Sequence, residues 1–309
     1  MIEINNLVKR YGDLVALDHL NLTIHQGEIF GLLGPNGSGK TTAINCMLAL
    51  LKYDKGDIRI FGEPMSPDNY KVKQQIGIVL QNVAVFDELT VYENIDYFCG
   101  LYIRNRAERK KLVEEAIQFA GLEDFTKMRP KKLSGGLLRR LNIACGIAHK
   151  PKLIIMDEPT VAVDPQSRNK ILEGILELNR QGSTIIYTSH YMEEVEQICS
   201  RIAILDHGRS IAVGTKEELK SMIKTGETVT IEAVALKEAQ LSDIRALPHV
   251  FDVTYAEQVL TVRLSSGKHN LVRILNYLQE QELTFGRVFS ELPTLNDVFL
   301  EITGKQLRD

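Results

Sequence analysis

The chain has 309 residues, of which 44% are hydrophobic and 25% are charged, a composition typical of a globular protein long enough for two domains. Its 37 Lys and Arg residues against 40 Asp and Glu residues give a formal net charge of -3, which argues against a nucleic-acid-binding protein because such proteins carry a basic surplus. The four cysteines are scattered singly, which argues against a zinc site or a redox pair.

Targeting and membrane-spanning segments are not expected from the sequence. The N-terminus lacks the basic start and the apolar run of a signal peptide, and no uncharged apolar run approaches the ~18 residues of a spanning helix. We therefore expect a protein on the cytoplasmic side of the cell membrane, where any membrane role requires a partner.

Strands and helices are predicted to alternate through the first two thirds of the chain. Helices are predicted directly after residue 42, over 106–120 with Gly121 as a stop, and over 166–180. Continuous apolar runs are typical of strands that are covered on both faces. The alternation of such strands with helices predicts an α/β domain with a largely parallel core. The predicted strands cover residues 2–8, 19–24, 28–33, 76–80, 153–156, 184–187 and 202–205.

The pattern changes near residue 225, after a polar helix predicted over 216–224. The order of elements that follows is β-α-β-β-α-β, which predicts a small ferredoxin-like or similar α+β domain. We therefore expect domains at 1–222 and 223–309. The predicted elements of the second domain are strand 228–234, helix 238–246, strands 250–255 and 258–264, helix 269–281, strand 285–291 and a final helix over 295–302.

The segment after the third predicted strand fits the phosphate-binding pattern G-x-x-x-x-G-K-[ST]. Its glycines allow backbone N–H groups to point at phosphate oxygens, at the positive end of the following helix. We expect Lys40 to neutralise the β- and γ-phosphates of ATP and the Thr41 hydroxyl to ligate Mg²⁺. A chance glycine-rich turn is the alternative, and the strand–loop–helix context argues against it. The residues assigned to this loop are Gly34, Pro35, Asn36, Gly37, Ser38, Gly39, Lys40, Thr41 and Thr42.

Two acidic residues, Asp157 and Glu158, follow the apolar run at 153–156. They lie at the carboxyl end of a predicted strand, where open α/β sheets bind ligands. We expect Asp157 to hold Mg²⁺ through water and Glu158 to act as the base or polarising group for the attacking water. The alternative is a strand that meets an ordinary acidic loop, which the phosphate-binding loop makes a poorer explanation.

A third motif, Leu133-Ser134-Gly135-Gly136-Leu137, lies between the first two. The order of these motifs, followed by a histidine, resembles the ABC ATPase family. The resemblance implies a P-loop NTPase cassette with a RecA-like core, an N-terminal antiparallel β subdomain and a helical subdomain at about 82–150. It also implies that residues 134–137 begin a helix that faces the γ-phosphate held by the other subunit. Ser134 as N-cap, followed by bare glycines, suits an anion site.

Four further residues match positions of the family one by one. The resemblance assigns Tyr11 to adenine stacking, Gln81 to Mg²⁺ and the attacking water, Asp164 to the partner's P-loop and His190 to the γ-phosphate. Considered singly, they could instead be a packing tyrosine, a surface glutamine, a helix cap and a structural histidine. The implied catalytic residues are Glu158, His190 and Gln81, and the implied metal ligands are Thr41, Gln81 and Asp157.

The chain departs from the family pattern at two positions. Leu137 stands where the family usually has Gln, and Ala162-Val163-Asp164 stands where it usually has Gly-Leu-Asp. Leu137 removes a polar group but keeps the backbone donors of the motif. Ala162 adds a methyl group that could stiffen or shift the loop. We expect these changes to tune activity, because neither removes a charge used in hydrolysis.

The tail at 292–304 resembles that of ATPases from ABC-2 type exporters of drugs, antibiotics, sodium, lipids or polysaccharides, mostly bacterial systems. The resemblance implies a homodimer, or a heterodimer with a related cassette, that drives export through a separate transmembrane permease subunit. The apolar cluster Val83-Ala84-Val85-Phe86 is expected to contact that subunit or else to fold into the local core. Two alternatives are a regulatory or assembly cassette with weak or no hydrolysis, and a soluble ABC protein that acts on nucleic acid or the ribosome.

Overall fold

A computed structural model describes residues 1–233 and 235–304 of the chain. Val234, the last residue of the predicted strand 228–234, and residues 305–309 lie outside the described residues. Contacts within the chain divide it into two compact units, Met1–Lys216 and the part that begins at Glu217. The helix Lys216–Ser221 spans this division, and the domain boundary between 222 and 223 stays a prediction.

The first unit contains a larger sheet with a parallel core, a smaller antiparallel sheet and a group of helices. The strands are, in chain order, β1 (Ile2–Tyr11), β2 (Leu14–Ile24), β3 (Ile29–Leu33), β4 (Lys55–Ile60), β5 (Glu63–Pro64), β6 (Ile76–Val79), β7 (Leu153–Asp157), β8 (Thr184–Thr188), β9 (Arg201–Asp206) and β10 (Arg209–Gly214). The helices are α1 (Lys40–Met47), α2 (Tyr70–Lys73), α3 (Val91–Gly100), α4 (Arg106–Ala120), α5 (Gly135–Ile147), α6 (Pro165–Arg180) and α7 (Met192–Ile198).

The larger sheet has the strand order β10-β9-β3-β8-β7-β6. All neighbours pair in parallel except β10 and β9, which form an antiparallel hairpin. Every residue of β3, β7 and β8 is buried, which explains why these strands consist of unbroken apolar runs. The predicted parallel core is therefore confirmed, and the loops after these three strands meet at one edge of the sheet.

The smaller sheet has the strand order β2-β1-β4-β5 and pairs antiparallel throughout. Apolar residues of its strands, such as Leu20 and Ile58, share one buried cluster with Leu32 and Ile155 of the parallel core. Strand β2 begins at Leu14, well before the predicted start at residue 19, because the chain reverses tightly after β1. The short strands β4 and β5 were not predicted, since they offer little apolar alternation.

Helices α3, α4 and α5 pack around a separate apolar cluster within the range 82–150 that was predicted for a helical subdomain. Helix α4 spans the predicted 106–120 and ends at Gly121, whose φ of 60° places it in the left-handed conformation of a C-terminal cap. Helix α5 begins directly after Ser134, whose hydroxyl accepts a hydrogen bond from the Leu137 N–H group at 3.3 Å. The predicted N-cap of this helix is therefore present.

The second unit is an antiparallel sheet with the strand order β12-β13-β11-β14, together with helices that connect its strands. Its core unites alternate residues of the central strands, such as Val229 and Val262, with Ile274 and Leu278 of a helix. The order of elements is the predicted β-α-β-β-α-β, and the first helix ends at Ser221 rather than 224. The elements are α8 (Lys216–Ser221), β11 (Glu227–Ala233), α9 (Glu238–Arg245), β12 (Val250–Ala256), β13 (Val259–Leu264), α10 (Asn270–Glu280), β14 (Phe285–Glu291) and α11 (Leu295–Thr303).

Two global expectations can be compared with the described residues. Within 1–233 and 235–304, no helix combines the length and the apolar character needed to cross a membrane. The four cysteines are buried and free, as expected of small apolar residues.

A contact between two glycines sets the distance between α5 and the parallel sheet. A Cβ atom added to Gly77 of β6 would lie 2.4 Å from the carbonyl oxygen of Gly146 in α5. A Cβ atom on Gly146 would lie 2.6 Å from the carbonyl oxygen of Ile78. A carbon and an oxygen atom clash at such distances. The helix can therefore pack this closely on the strand only because both residues lack a side chain. This contact positions the helix that begins at Ser134.

We expect Gly146→Ala to lower the free energy of unfolding by about 1–3 kcal/mol, because the added methyl group overpacks this contact. The expected sign is opposite to that of helix propensity, which favours Ala over Gly by about 1 kcal/mol. Gly100→Ala is the matched control, since a Cβ there would lie within 4 Å of the flexible Arg109 side chain, at 3.2 Å or more, and of no backbone atom among its nearest neighbours. Urea denaturation followed by circular dichroism measures both variants, and an unchanged or higher stability of Gly146→Ala would contradict the close helix–strand contact.

Candidate active site

The predicted phosphate-binding loop connects β3 to α1 and is closely packed on its inner side. A Cβ atom on Gly34 would lie 2.5 Å from the carbonyl oxygen of Leu205, and one on Gly39 would lie 2.7 Å from that of Ala16. Gly39 also has a φ of 104°, which strongly favours glycine. The hydroxyl of Ser38 is buried and has no hydrogen-bond partner within the described part of the chain. The loop therefore has the fixed backbone and the spare donor of an anion site.

The ammonium group of Lys40 lies inside this loop. The residue is only 6% exposed, and its Nζ donates to the carbonyl oxygens of Gly34 at 2.7 Å and Pro35 at 3.2 Å. Burial lowers the pKa of Lys40, while the negative charges of Glu158 and Asp157 act in the opposite direction. The loop thus holds a desolvated cation whose present partners are neutral carbonyl groups, which an anionic ligand can replace.

The Asp157 carboxylate lies at the end of β7 between two hydroxyl groups. Its Oδ1 accepts a hydrogen bond from Thr188 Oγ1 at 2.6 Å, and its Oδ2 accepts one from Thr41 Oγ1 at 3.3 Å. The structure therefore brings together two of the three predicted metal ligands, Asp157 and Thr41. A carboxylate next to a hydroxyl is an all-oxygen donor set, which suits Mg²⁺ when substrate oxygens and waters complete its coordination.

Glu158 is the point at which the three predicted catalytic residues meet. Its Oε2 accepts a hydrogen bond from Gln81 Nε2 at 3.1 Å and lies 3.6 Å from Nδ1 of His190. The backbone of Glu158 has a φ of 48°, and its N–H group donates to Thr188 Oγ1 at 2.9 Å. Strained backbone of this kind persists only where the surroundings hold it, and it concentrates at functional sites. Gln81, the third predicted metal ligand, here contacts the Glu158 carboxylate.

Tyr11 lies at the end of β1, on the hairpin whose second strand contacts the phosphate-binding loop through Ala16. The residue is 49% exposed, and the ammonium group of Lys9 lies 5.0 Å from the centroid of its ring. A half-exposed ring next to the loop suits the predicted stacking on adenine better than a role in core packing, and this role stays a prediction.

The Ser134–Leu137 segment forms the start of α5, and its described contacts run to residues 162–167 and to the helical cluster. A Cβ atom on Gly136 would lie 2.4 Å from Ser167 Oγ, so this glycine is required by its own chain. A Cβ atom on Gly135 would meet nothing nearer than the Ala162 carbonyl oxygen at 3.9 Å. Leu137 packs against the helical cluster, which explains its apolar character. Fold packing therefore does not account for a glycine at position 135.

Asp164 caps helix α6, which was the alternative to its predicted role. Its Oδ1 accepts a hydrogen bond from the Ser167 N–H group at 2.9 Å, and this bond lowers the pKa of Asp164. Ala162, two residues earlier, has a φ of 58°, in the left-handed region where glycine is unstrained. The departure from the family pattern at 162 therefore strains the backbone of this loop, and the contact of Asp164 with a partner chain stays a prediction.

The sequence did not predict the residues that support the phosphate-binding loop from the neighbouring turns, and Gly208 is one of them. This glycine lies in the turn between β9 and β10, and its N–H group donates to the Ser38 carbonyl oxygen at 3.0 Å. Its own carbonyl oxygen accepts a hydrogen bond from the Asp18 N–H group at 3.0 Å. Arg209 strengthens this connection through an ion pair with Asp18 at 2.6 Å. A glycine between two strand-like segments signals a turn, but it does not show what the turn contacts.

Comparison with known proteins identifies relatives for both units. A family model described as ABC transporter matches residues 17–161, and one described as the C-terminal domain of DrrA1-3-like ATP-binding proteins matches residues 214–303. The linearmycin resistance ATP-binding protein LnrL of Bacillus subtilis is 41% identical over 100% of both chains. The Nod factor export ATP-binding protein I of Sinorhizobium fredii is 34% identical over 100% of this chain and 87% of that protein. The daunorubicin resistance ATP-binding protein DrrA3 of Streptomyces coeruleorubidus is 33% identical over 99% of this chain and 97% of that protein.

Solved structures with a similar fold match about the length of the first unit. A dimeric post-hydrolysis state of the ATP-binding cassette MJ0796, bound to ADP and Pi, has a TM-score of 0.64 at 30% identity. It covers 70% of this chain and 98% of that chain. An ATP-binding subunit of an ABC transporter has a TM-score of 0.66 at 26% identity, and the match covers 72% of this chain and 92% of that chain.

We expect Gly208→Ala to weaken ATP binding, because a Cβ atom there would lie 2.6 Å from the Ala16 carbonyl oxygen and would push the turn away from Ser38. Gly208 also has a φ of 75°, so alanine adds about 1–2 kcal/mol of backbone strain. Gly62→Ala isolates that strain, since Gly62 has a φ of 79° and no atom within 4 Å of an added Cβ. Titration with a fluorescent ATP analogue should show a higher Kd for Gly208→Ala only, and equal affinities would contradict the role of this turn.

Proposed function

The chain belongs to the ATP-binding subunits of ABC transporters and is an ATPase, and we propose that its work is export driven by a two-ATP dimer. The family confirms the predicted resemblance, fold class and enzyme class. In the proposed complex, two copies bind two Mg-ATP molecules head to tail and act on a separate transmembrane permease subunit. The names of relatives in linearmycin resistance, daunorubicin resistance and Nod factor export support a role in export.

The observation that carries the proposal is the convergence of Gln81 and His190 on one carboxylate oxygen of Glu158. Hydrolysis requires a water molecule aligned with the γ-phosphorus and a group that accepts its proton. We assign the proton acceptor to Glu158 and the orientation of its carboxylate to Gln81. We assign a γ-phosphate contact to His190, which lies at the end of the neighbouring strand β8.

The phosphate groups of ATP are assigned to the loop between β3 and α1. Phosphate oxygens would replace the carbonyl oxygens of Gly34 and Pro35 as acceptors for Lys40, and the buried Ser38 hydroxyl would gain a partner. Thr41 and Asp157 would hold Mg²⁺, which when bound neutralises charge on the phosphate oxygens. The oxygen-only donor set of these two side chains supports this assignment.

A head-to-tail dimer is supported by the exposed start of helix α5. The N-terminus of a helix offers free N–H groups and a positive dipole to an anion. The described contacts of Ser134 and Gly135 do not run to the phosphate-binding loop of their own chain, and packing allows a side chain at Gly135. We therefore assign this segment to the γ-phosphate of ATP held by the second chain, either an identical copy or a related cassette.

The transmembrane partner is assigned to the apolar loop after Gln81. Phe86 is 42% exposed, meets Tyr97 edge to face at a centroid distance of 5.0 Å and stacks on Phe98 at 5.8 Å. The buried Asn94 holds this loop, since its amide accepts from the Phe86 N–H group at 2.7 Å and donates to the Phe86 carbonyl oxygen at 3.0 Å. A rigid, half-exposed aromatic patch suits a protein interface. On this proposal the chain lies at the cytoplasmic side of a bacterial membrane.

We expect Glu158→Gln to lower kcat for ATP hydrolysis by about 10²–10⁴-fold, because the amide cannot accept the proton of the attacking water. The trapped variant should form a dimer in Mg-ATP, which size-exclusion chromatography with light scattering measures. Glu193→Gln is the control, since Glu193 is exposed on α7. A wild-type rate in Glu158→Gln would remove its proposed role, and a monomer in saturating Mg-ATP would contradict the dimer.

We expect Gly135→Ala, introduced into Glu158→Gln, to weaken the Mg-ATP-dependent dimer, and Gly135→Asp to abolish it through repulsion of the γ-phosphate. Binding of a fluorescent ATP analogue to the monomer should persist in both double variants, because Gly135 makes no contact with the phosphate-binding loop of its own chain. Gly100→Ala in the same background serves as the control helix glycine. Undiminished dimer formation by Gly135→Asp would show that the segment does not face a nucleotide.

A further inference from the structure

A carboxylate with no assigned role lies buried directly behind the catalytic residues. Glu194 of α7 is only 3% exposed, and its Oε2 accepts three hydrogen bonds from hydroxyl groups. The donors are Tyr187 at 2.7 Å, Thr160 at 2.8 Å and Ser189 at 2.8 Å. Burial and the nearby carboxylate raise the pKa of Tyr187, so that its hydroxyl keeps the proton that it donates.

Arg168 of α6 supplies the positive charge for this carboxylate. Its Nε lies 3.3 Å from the second oxygen of Glu194, Oε1, and its side chain is 29% exposed. The central carbon of the guanidinium group also lies over the ring of Tyr191, 4.4 Å from its centroid. Neither Arg168 Nε nor Glu194 Oε1 has a hydrogen-bond partner within the described residues, so their interaction is an ion pair rather than a hydrogen bond. Because a buried carboxylate is stable only when its charge is compensated, Glu194 depends on Arg168.

The partners of Glu194 flank both Glu158 and His190 along the chain. Thr160 follows Glu158 by two residues, and Ser189 directly precedes His190. The Ser189 hydroxyl also accepts a hydrogen bond from the Tyr191 N–H group at 3.0 Å, which fixes the backbone on both sides of His190. The rings of His190 and Tyr191 lie 4.1 Å apart. Consecutive contacts therefore connect Glu194 to His190 through Arg168 and Tyr191.

We propose that Glu194, paired with Arg168, is a positioning residue that fixes Glu158 and His190 relative to each other and connects them to α6. Asp164, the residue predicted to reach the second chain, caps the first turn of this same helix. The inference rests on the proposed roles of Glu158 and His190. The buried charge of Glu194 would then couple three parts of the site. These are Glu158, which activates water, His190, which contacts the γ-phosphate, and helix α6, which follows the loop that faces the second chain.

The test is a comparison of Glu194→Gln with Glu193→Gln, its exposed neighbour on the same helix. The amide preserves shape but places a donor where hydroxyl groups already donate, and it removes the charge that Arg168 requires. We expect kcat for ATP hydrolysis to fall by about tenfold or more in Glu194→Gln, while KM and the affinity for a fluorescent ATP analogue stay within about twofold. Glu193→Gln should match the wild type in all three quantities.

A purely structural role would give a different result. Loss of stability alone reduces the fraction of folded enzyme and leaves kcat per active site unchanged, so active sites are counted by stoichiometric nucleotide binding. A wild-type kcat per site in folded Glu194→Gln would overturn the proposal. If this variant does not fold, Ser189→Ala and Tyr187→Phe each remove one donor and preserve the charge pair. A lower kcat at unchanged KM in these variants supports the proposal, and a wild-type kcat in both overturns it.

The pairing itself is tested by a double-mutant cycle with Arg168→Gln. If the two charges act as a unit, Glu194→Gln with Arg168→Gln should lose no more kcat than the worse single variant, whereas additive losses would contradict the pairing. Glu158→Gln, measured in parallel, separates the two levels of inference. A strong loss in Glu158→Gln with none in Glu194→Gln removes only the positioning role, and full activity in Glu158→Gln removes the proposed catalytic site.

Discussion

The site depends on the hydroxyl group of Thr188, which connects the ends of two neighbouring parallel strands. It donates to the Asp157 carboxylate at 2.6 Å and accepts from the Glu158 N–H group at 2.9 Å. This geometry requires the register in which Asp157 pairs with Thr188, between two strands in which every residue is buried. Because a slip of one residue would turn buried side chains to the opposite face, core packing determines where the carboxylates lie.

The phosphate-binding loop obeys a second constraint of the same kind. Its backbone is surrounded by the Leu205 and Ala16 carbonyl oxygens and by Gly208, all from strands or turns distant in sequence. The fold therefore fixes the shape of the loop, and on the proposed assignment ATP binding requires mainly that Lys40 exchange its carbonyl partners for phosphate. Pre-organised donors of this kind avoid reorganisation during the reaction, which is the main source of electrostatic catalysis.

The sequence predicted those features that are local in the chain. The phosphate-binding loop, the acids after 153–156 and the order of strands and helices along the second unit follow from motifs and periodicity within short windows. Helix α7, strand β10 and the contacts of Gly208 were missed, because they depend on which distant segments meet. Glu194 shows the limit most clearly, since the pair Glu193-Glu194 looks like ordinary surface charge. Only the packing of α7 against β3 and α6 shows that one of the two is buried.

The loop between Glu158 and Asp164 combines a strained backbone with a hydrogen bond to the buried Glu194. Its backbone is left-handed at Glu158, with a φ of 48°, and at Ala162, with a φ of 58°. Each such residue costs about 1–2 kcal/mol, and alanine at 162 adds strain that a glycine would avoid. Between the two lies Thr160, whose side chain is tied to the buried Glu194. The loop is thus strained on both sides of Thr160, and on the proposed positioning role of Glu194 the buried hydrogen bonds stabilise the backbone conformation of Glu158.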